Sequence, residues 1–235
     1  MANRTTSNHK SKNSTKIPCT ALIIGASGLV GEHLIQQLLS TQSYTKVIAL
    51  SRKPLALKHE KLEQIIIDFS QLKVELINNN KSLQSVEHIF CTLGTTIKKA
   101  GSKQAFYQVD YDYPLTIAKH FHQYNASLFA IVTAIGANQH ANVFYNHVKG
   151  KVEASLADIG YQHSGIFRPS MLAGKRKEFR FGEFAGSIIM NLLTFMTPKK
   201  YRVIAAEKVA KAMLAYATQP LAGITVIESD QLQNH

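Results

Sequence analysis

Three glycines spaced by two residues, set between an apolar run and an amphipathic segment, constrain this chain more than any other feature. Thr20 to Ile24 reads as a strand, and Gly25-Ala26-Ser27-Gly28-Leu29-Val30-Gly31 follows at once, leading into a helix-like stretch from about Leu29 to Leu39. The first glycine permits a tight turn, the second lets backbone approach a pyrophosphate, and the third lets helix and strand pack closely. The helix N-terminus offers free N–H groups and positive potential to an anion. Without strand before and helix after, a glycine triplet is only a flexible turn; in this context it predicts a bound dinucleotide.

The rest of the chain repeats the same rhythm. Strand-length apolar runs recur at Lys46 to Leu50, Gln64 to Asp68, His88 to Thr92, Ser127 to Thr133, Gly165 to Phe167 and Ile224 to Glu228. Helical periodicity covers Phe106 to Tyr124, Asn146 to Leu156 and Ala206 to Ala217. Strands alternating with helices predict an α/β chain: a doubly wound, mainly parallel Rossmann-type sheet of about seven strands with helices on both faces. The alternation lapses only between Ala173 and Pro198, which is expected to be an insert on the substrate side.

Composition narrows the setting. Of 235 residues, 45% are hydrophobic and 18% charged, which suits one domain over residues 17–235 and excludes a disordered or collagen-like chain. Met1 to Lys16 holds Arg4, Lys10, Lys12 and Lys16, no acid and almost nothing apolar, so residues 1–16 are expected to be a disordered basic tail. The chain has no apolar signal core and no run of eighteen apolar residues, which predicts a soluble protein. Cys19 and Cys91 are too few and too distant to suggest a disulfide framework, so a cytoplasmic location is expected. Net charge is +12, of which the tail carries four, enough to attract anions at a distance. Specific nucleic-acid recognition is not expected, since there is no zinc-finger spacing, aromatic-basic RNA signature or basic helix. No histidine pair has metal-ligand spacing, and no metal is expected.

The second strand ends in Ser51-Arg52-Lys53, where an acid would hold the ribose hydroxyls of NAD. Arg52 with its planar fork and Lys53 as a point charge suit a 2′-phosphate instead, so the expected cofactor is NADP(H). Asp68, after Ile65-Ile66-Ile67, suits either an adenine amino group or an ordinary strand-end turn. Leu93-Gly94 follows the fourth strand, and a glycine there allows close approach to ribose or nicotinamide.

Thr133 ends the fifth strand, and twelve residues on comes Tyr145-Asn146-His147-Val148-Lys149. Spacing of four places Tyr145 and Lys149 on one helix face, one turn apart. An ammonium beside a phenol favours phenolate, so Lys149 is expected to tune Tyr145 as the acid–base group while Thr133 orients a carbonyl oxygen.

Glycine loop, basic pair, Leu93-Gly94 and the Thr133/Tyr145/Lys149 set together resemble the short-chain dehydrogenase/reductase superfamily over nearly all of Thr20 to Ile227. More narrowly, Cys91-Thr92-Leu93-Gly94-Thr95-Thr96, the stretch from Phe106 to Pro114, that from Tyr145 to Ala154, and Phe167-Arg168-Pro169 resemble the Tat-interacting-protein type of atypical reductase. The resemblance implies a dinucleotide held by Ser27, Arg52, Lys53, Leu93, Gly94, Tyr145, Lys149, Leu172 and Arg180. It also implies that Asp110 stands where an Asn usually supports a proton relay near Lys149; a solvated helix face is the alternative for this residue.

Gly174 to Glu183 carries four positive charges and two aromatic residues, and is read either as closing over phosphates or an anionic substrate or as a solvated loop. Phe184 to Thr197 is apolar nearly all round and too short to span a bilayer; a lid over an apolar pocket is expected, with peripheral membrane contact second. The expected function is NADP(H)-dependent hydride transfer to or from a carbonyl or alcohol. The rival is a non-catalytic NADPH-binding module acting through a protein partner, and a third reading is nonspecific attraction to nucleic acid or acidic membrane.

Overall fold

The computed structural model describes residues 19–173 and 198–235. The basic tail, Arg180, the basic run from Gly174 to Glu183 and the apolar stretch from Phe184 to Thr197 lie outside the described residues.

Seven parallel strands form the main sheet: β1 (Cys19–Ile24), β2 (Tyr44–Ser51), β3 (Leu62–Ile66), β4 (Val86–Cys91), β5 (Leu128–Val132), β6 (His163–Arg168) and, after a separate pair, β9 (Gly223–Glu228). The pair is β7 (Leu172–Ala173) beside β8 (Ile204–Ala205), two residues each. Strand order in the sheet is β3-β2-β1-β4-β5-β6-β9, so successive strands run outward from β1 in one direction and then, from β4, in the other. That reversal makes the carboxyl ends of β1 and β4 the switch point, where open α/β sheets bind ligands.

Period-two alternation explains how each strand feeds two cores. Ala21 and Ile23 of β1 face one side together with Phe90, Leu128 and Ala130; there they meet α1 (Leu29–Ser40) and a second helix, α8 (Ala206–Thr218). Leu22 and Ile24 face the other side with Ile89, Cys91, Phe129 and Ile131. That side is covered by the short helices α2 (Leu72–Asn78) and α3 (Asn80–Leu83), and by α6 (Tyr113–His122) and α7 (Phe144–Ile159). Helix α1 buries Val30, Leu34, Ile35, Leu38 and Leu39, a stripe of 3.6-residue period, and each such side chain contributes roughly 1.5–3 kcal/mol by leaving water.

The helix expected over Phe106 to Tyr124 is one helical run from Lys103 to His122, interrupted by a π-helical turn. Helix α4 (Ile97–Ala100) leads through a left-handed Gly101 into α5 (Lys103–Tyr107), a π-helical turn covers Gln108–Asp112, and α6 completes the run. Hydrophobic periodicity alone does not register one inserted residue, which is why this break was not foreseen; π turns of this kind often mark functional sites. A C-terminal turn, α9 (Ser229–Leu232), closes the chain against the end of β9.

Candidate active site

At the switch point the backbone itself makes the surface. Gly25 has φ +85°, and a Cβ there would stand 2.7 Å from the Thr92 carbonyl carbon. A Cβ on Gly31 would stand 2.1 Å from the Gly25 carbonyl oxygen. Thr92 locks the two strand ends together, its N–H donating to the Ile24 carbonyl at 2.9 Å and its hydroxyl reaching the Ile24 and Gly25 carbonyls at 3.0 Å each. Gly28, the N-cap of the twelve-residue α1, has no side chain to satisfy the first N–H groups of the helix. Ser27 is exposed, Leu29 half-buried and Val30 buried, so this turn presents main chain and the Ser27 hydroxyl. A glycine-lined cradle ending in an uncapped helix fits a diphosphate.

Arg52 and Lys53 are exposed at the carboxyl end of β2, the strand next to β1. Asp68 adopts the strand-end turn: it caps a single 3₁₀ turn, accepting the Ser70 N–H and the Ser70 hydroxyl, both at 2.8 Å, and those bonds hold its carboxyl below the usual range. Tyr113, at the start of α6, was not foreseen here. Burial raises its phenol, Asp68 adding to that and Arg52 opposing it, and its ring lies 5.3 Å from that of Phe69, the residue after Asp68.

On the other side of the switch point stands a buried ion pair. The π turn in front of α6 aims Asp110, 1% exposed, at Lys149, 4% exposed, with Oδ1 2.7 Å from Nζ. The other carboxylate oxygen accepts the Thr95 N–H at 3.0 Å, which ties the pair to the Leu93-Gly94-Thr95 loop. Burial opposes the Lys149 ammonium, but the Asp110 carboxylate and the phenolic Tyr145 outweigh it and hold Lys149 above the usual lysine range. The solvated-face alternative for Asp110 is thereby excluded. Gly94 leaves room beside the pair, since a Cβ there would sit 3.7 Å from Asp110 Oδ1 and 3.8 Å from Lys149 Nζ. Tyr145 is half-buried one turn before Lys149, its ring 5.5 Å from that of the buried Phe106. Cys91, at the end of β4, is fully buried with its thiol pushed up to about 12, so it is no nucleophile at neutral pH.

Thr133, expected to orient a substrate carbonyl, is buried just after β5, its hydroxyl donating to Glu153 Oε1 at 2.6 Å and lying 3.4 Å from the Phe167 carbonyl oxygen. Ala134 follows and has no hydroxyl. Leu172 is half-buried in β7, paired with Ile204 and packed on the core shared by α1 and α8. Glu153 was missed, although Tyr145, Lys149 and Glu153 at four-residue spacing form one polar stripe along α7 that the sequence displays. Arg168 was noted only as part of a motif; its guanidinium reaches Glu153 through Nε at 3.1 Å and Nη2 at 2.5 Å, and Glu228 through Nη1 at 2.9 Å.

Among the described residues no three His, Cys, Asp or Glu side chains are grouped so as to hold a metal ion, and no helix is long and apolar enough to cross a membrane.

The family model HIM1 matches residues 54–198, more than half of the chain. The chain belongs to the HIM1 family. Rattus norvegicus Protein HTATIP2 is 30% identical over 207 residues, covering 87% of this chain and 83% of that protein. Protein FMP52, mitochondrial, of Candida glabrata is 31% identical over 163 residues, 69% of this HIM1-family chain and 68% of that protein. Among solved structures, MoeE5 in complex with UDP-glucose and NAD superposes with TM-score 0.65 at 15% identity, over 91% of this chain and 79% of that one. A short chain dehydrogenase family protein from Francisella tularensis superposes with TM-score 0.60 at 13% identity, over 92% and 99%. The fold is thus one shared with a short chain dehydrogenase family protein: a seven-stranded parallel sheet flanked by helices. The expected cytoplasmic location does not stand, because the fungal relatives are named mitochondrial.

Proposed function

We propose that this HIM1-family chain binds NADP(H) across the switch point and transfers hydride between the nicotinamide and a carbonyl or alcohol substrate. The observation that carries this reading is the buried Lys149–Asp110 pair, one helical turn from Tyr145 and beside the exposed Gly94. When bound, the dinucleotide would supply or accept the hydride. Ser27 and the turn from Gly25 to Gly31 would hold the diphosphate, and Leu93 and Gly94 would border the ribose and nicotinamide. Arg52 and Lys53, exposed where no acid stands, would take the 2′-phosphate. Tyr145 would give or take the proton at the substrate oxygen. Lys149 stays charged at neutral pH because Asp110 compensates its burial, so it offers a fixed positive charge to the phenol and to ribose hydroxyls. A solved neighbour that names NAD shares only the fold and does not decide between the two dinucleotides.

Paired titrations of NADPH and NADH by nicotinamide fluorescence test the cofactor, with a background free of tryptophan. NADPH is expected to bind at least tenfold tighter, and Arg52→Ala with Lys53→Ala to erase that preference while leaving NADH unchanged. Preference for NADH in the unmodified protein would remove the basic pair from the site. For the chemistry, Tyr145→Phe is expected to lower turnover on a carbonyl panel roughly 10²–10⁴-fold with little change in NADPH affinity.

One observation favours a second reading. Thr133 is held by Glu153 and Ala134 brings no hydroxyl, which suits a dinucleotide-binding module that works through a protein partner without turnover. Tight NADPH binding with no oxidation across the whole carbonyl panel would select that reading.

A further inference from the structure

Helix α7 carries Lys149 and Glu153 four residues apart, and each has its own anchor. Lys149 is held by Asp110, while one turn further on, about 6 Å along the axis, Glu153 is 7% exposed and holds three donors: the Thr133 hydroxyl and two N–H groups of Arg168. Arg168 ends β6 and spends its remaining fork on Glu228 at the end of β9, which also lies 3.6 Å from Lys200. Between the two anchors the helix touches the chain that follows β5, where a Cβ on Gly150 would come within 2.1 Å of the Asn138 carbonyl carbon. A helix held this way cannot slide or turn on the sheet without breaking a bidentate ion pair whose carboxylate is buried.

We propose that Glu153, Arg168 and Glu228 are positioning residues that set helix α7 in register against the ends of β5, β6 and β9, and that they act on the dinucleotide through Lys149 and Tyr145; Thr133 belongs to this network and not to the acid–base pair. The inference rests on the dinucleotide reading above. An apolar side chain at 168 would hold the same elements together by packing but would let the helix settle in a different register. A guanidinium in a bidentate pair fixes direction as well as distance.

The probe is NADPH, measured by affinity and by the emission of the bound nicotinamide, in the full chain. Arg168→Met is expected to weaken NADPH binding about tenfold and to shift the emission. In a protein already carrying Lys149→Met, the same change should cost less than about twofold, because the route through Lys149 is gone. Arg168→Lys should restore part of the affinity. Leu83→Ala, which truncates a buried leucine of α3 that makes none of the network's hydrogen bonds, serves as a control of thermal loss and should leave affinity and emission in place. If Arg168→Met does not fold, Glu153→Gln combined with Arg168→Gln removes both charges and carries the same cycle. Effects that simply add to Lys149→Met, or a Leu83→Ala control that weakens NADPH equally, would overturn the positioning role while leaving the dinucleotide reading intact. An unmodified protein that binds neither NADPH nor NADH would overturn both.

Discussion

The turn after β1 and the inward stripe of α7 stand on either side of the Leu93-Gly94 loop, yet they are built by opposite means. Around Gly25 and Gly31 the site is main chain, with side chains removed so that two strands and a helix can close on one another. Along α7 it is side chain, with an ammonium and a carboxylate taken out of water and each matched by a partner from a different element. The first region depends on what is absent and tolerates nothing added. The second depends on pairing and fails when one partner is removed, because a lone buried charge costs far more than the pair contributes.

The strongest way to break this contrast is at Gly31. With the Gly25 carbonyl oxygen 2.1 Å from the site of a Cβ, Gly31→Val should leave no folded protein in a thermal melt, and a normally melting variant would show that the turn can relax. Asp110→Ala comes next. It strands the Lys149 ammonium, 6% exposed as a side chain, and should cost about 3–5 kcal/mol in denaturant unfolding. Asp110→Asn keeps an acceptor for the Thr95 N–H and should cost less than Asp110→Ala. The smallest effect is one of pH. Because the native Lys149 sits above the ordinary lysine value of about 10.4, its pairing contributes in full below that value and is lost only as pH rises through the raised one. The stability gap between the unmodified protein and the double variant Lys149→Met with Asp110→Asn, in which neither group titrates, followed as melting temperature, should therefore stay level from about pH 6 to about pH 9. A gap that closes within that window would mean that Lys149 loses its proton early.

The seven main strands were legible because each is an apolar run bounded by polar or glycine residues, and the order of elements left few ways to arrange them. The two-residue strands β7 and β8 were not, since two residues carry no period. The short helices α2 and α3 lie in a stretch whose buried apolar positions, Leu72, Leu76 and Leu83, share it with exposed Val74 and Ile77, so no clear helical stripe marks them before their packing is known. At the site, Tyr145 and Lys149 were visible as a spacing of four, and Glu153 extends the same spacing. Its partner Arg168 lies fifteen residues further on and Thr133 twenty residues before, separations no local pattern records.

By itself the sequence determined the dinucleotide-type turn, the parallel α/β sheet and the face of α7 that carries Tyr145 and Lys149, because glycine placement and the periods of two and 3.6 are local properties of the chain. Tertiary structure alone decided which carboxylate faces which partner: Asp110 turned inward by a π turn onto Lys149, and Glu153 taken by Arg168 and the Thr133 hydroxyl. Buried charges choose partners across space, and that choice is made only when strands and helices distant in the chain are brought into contact.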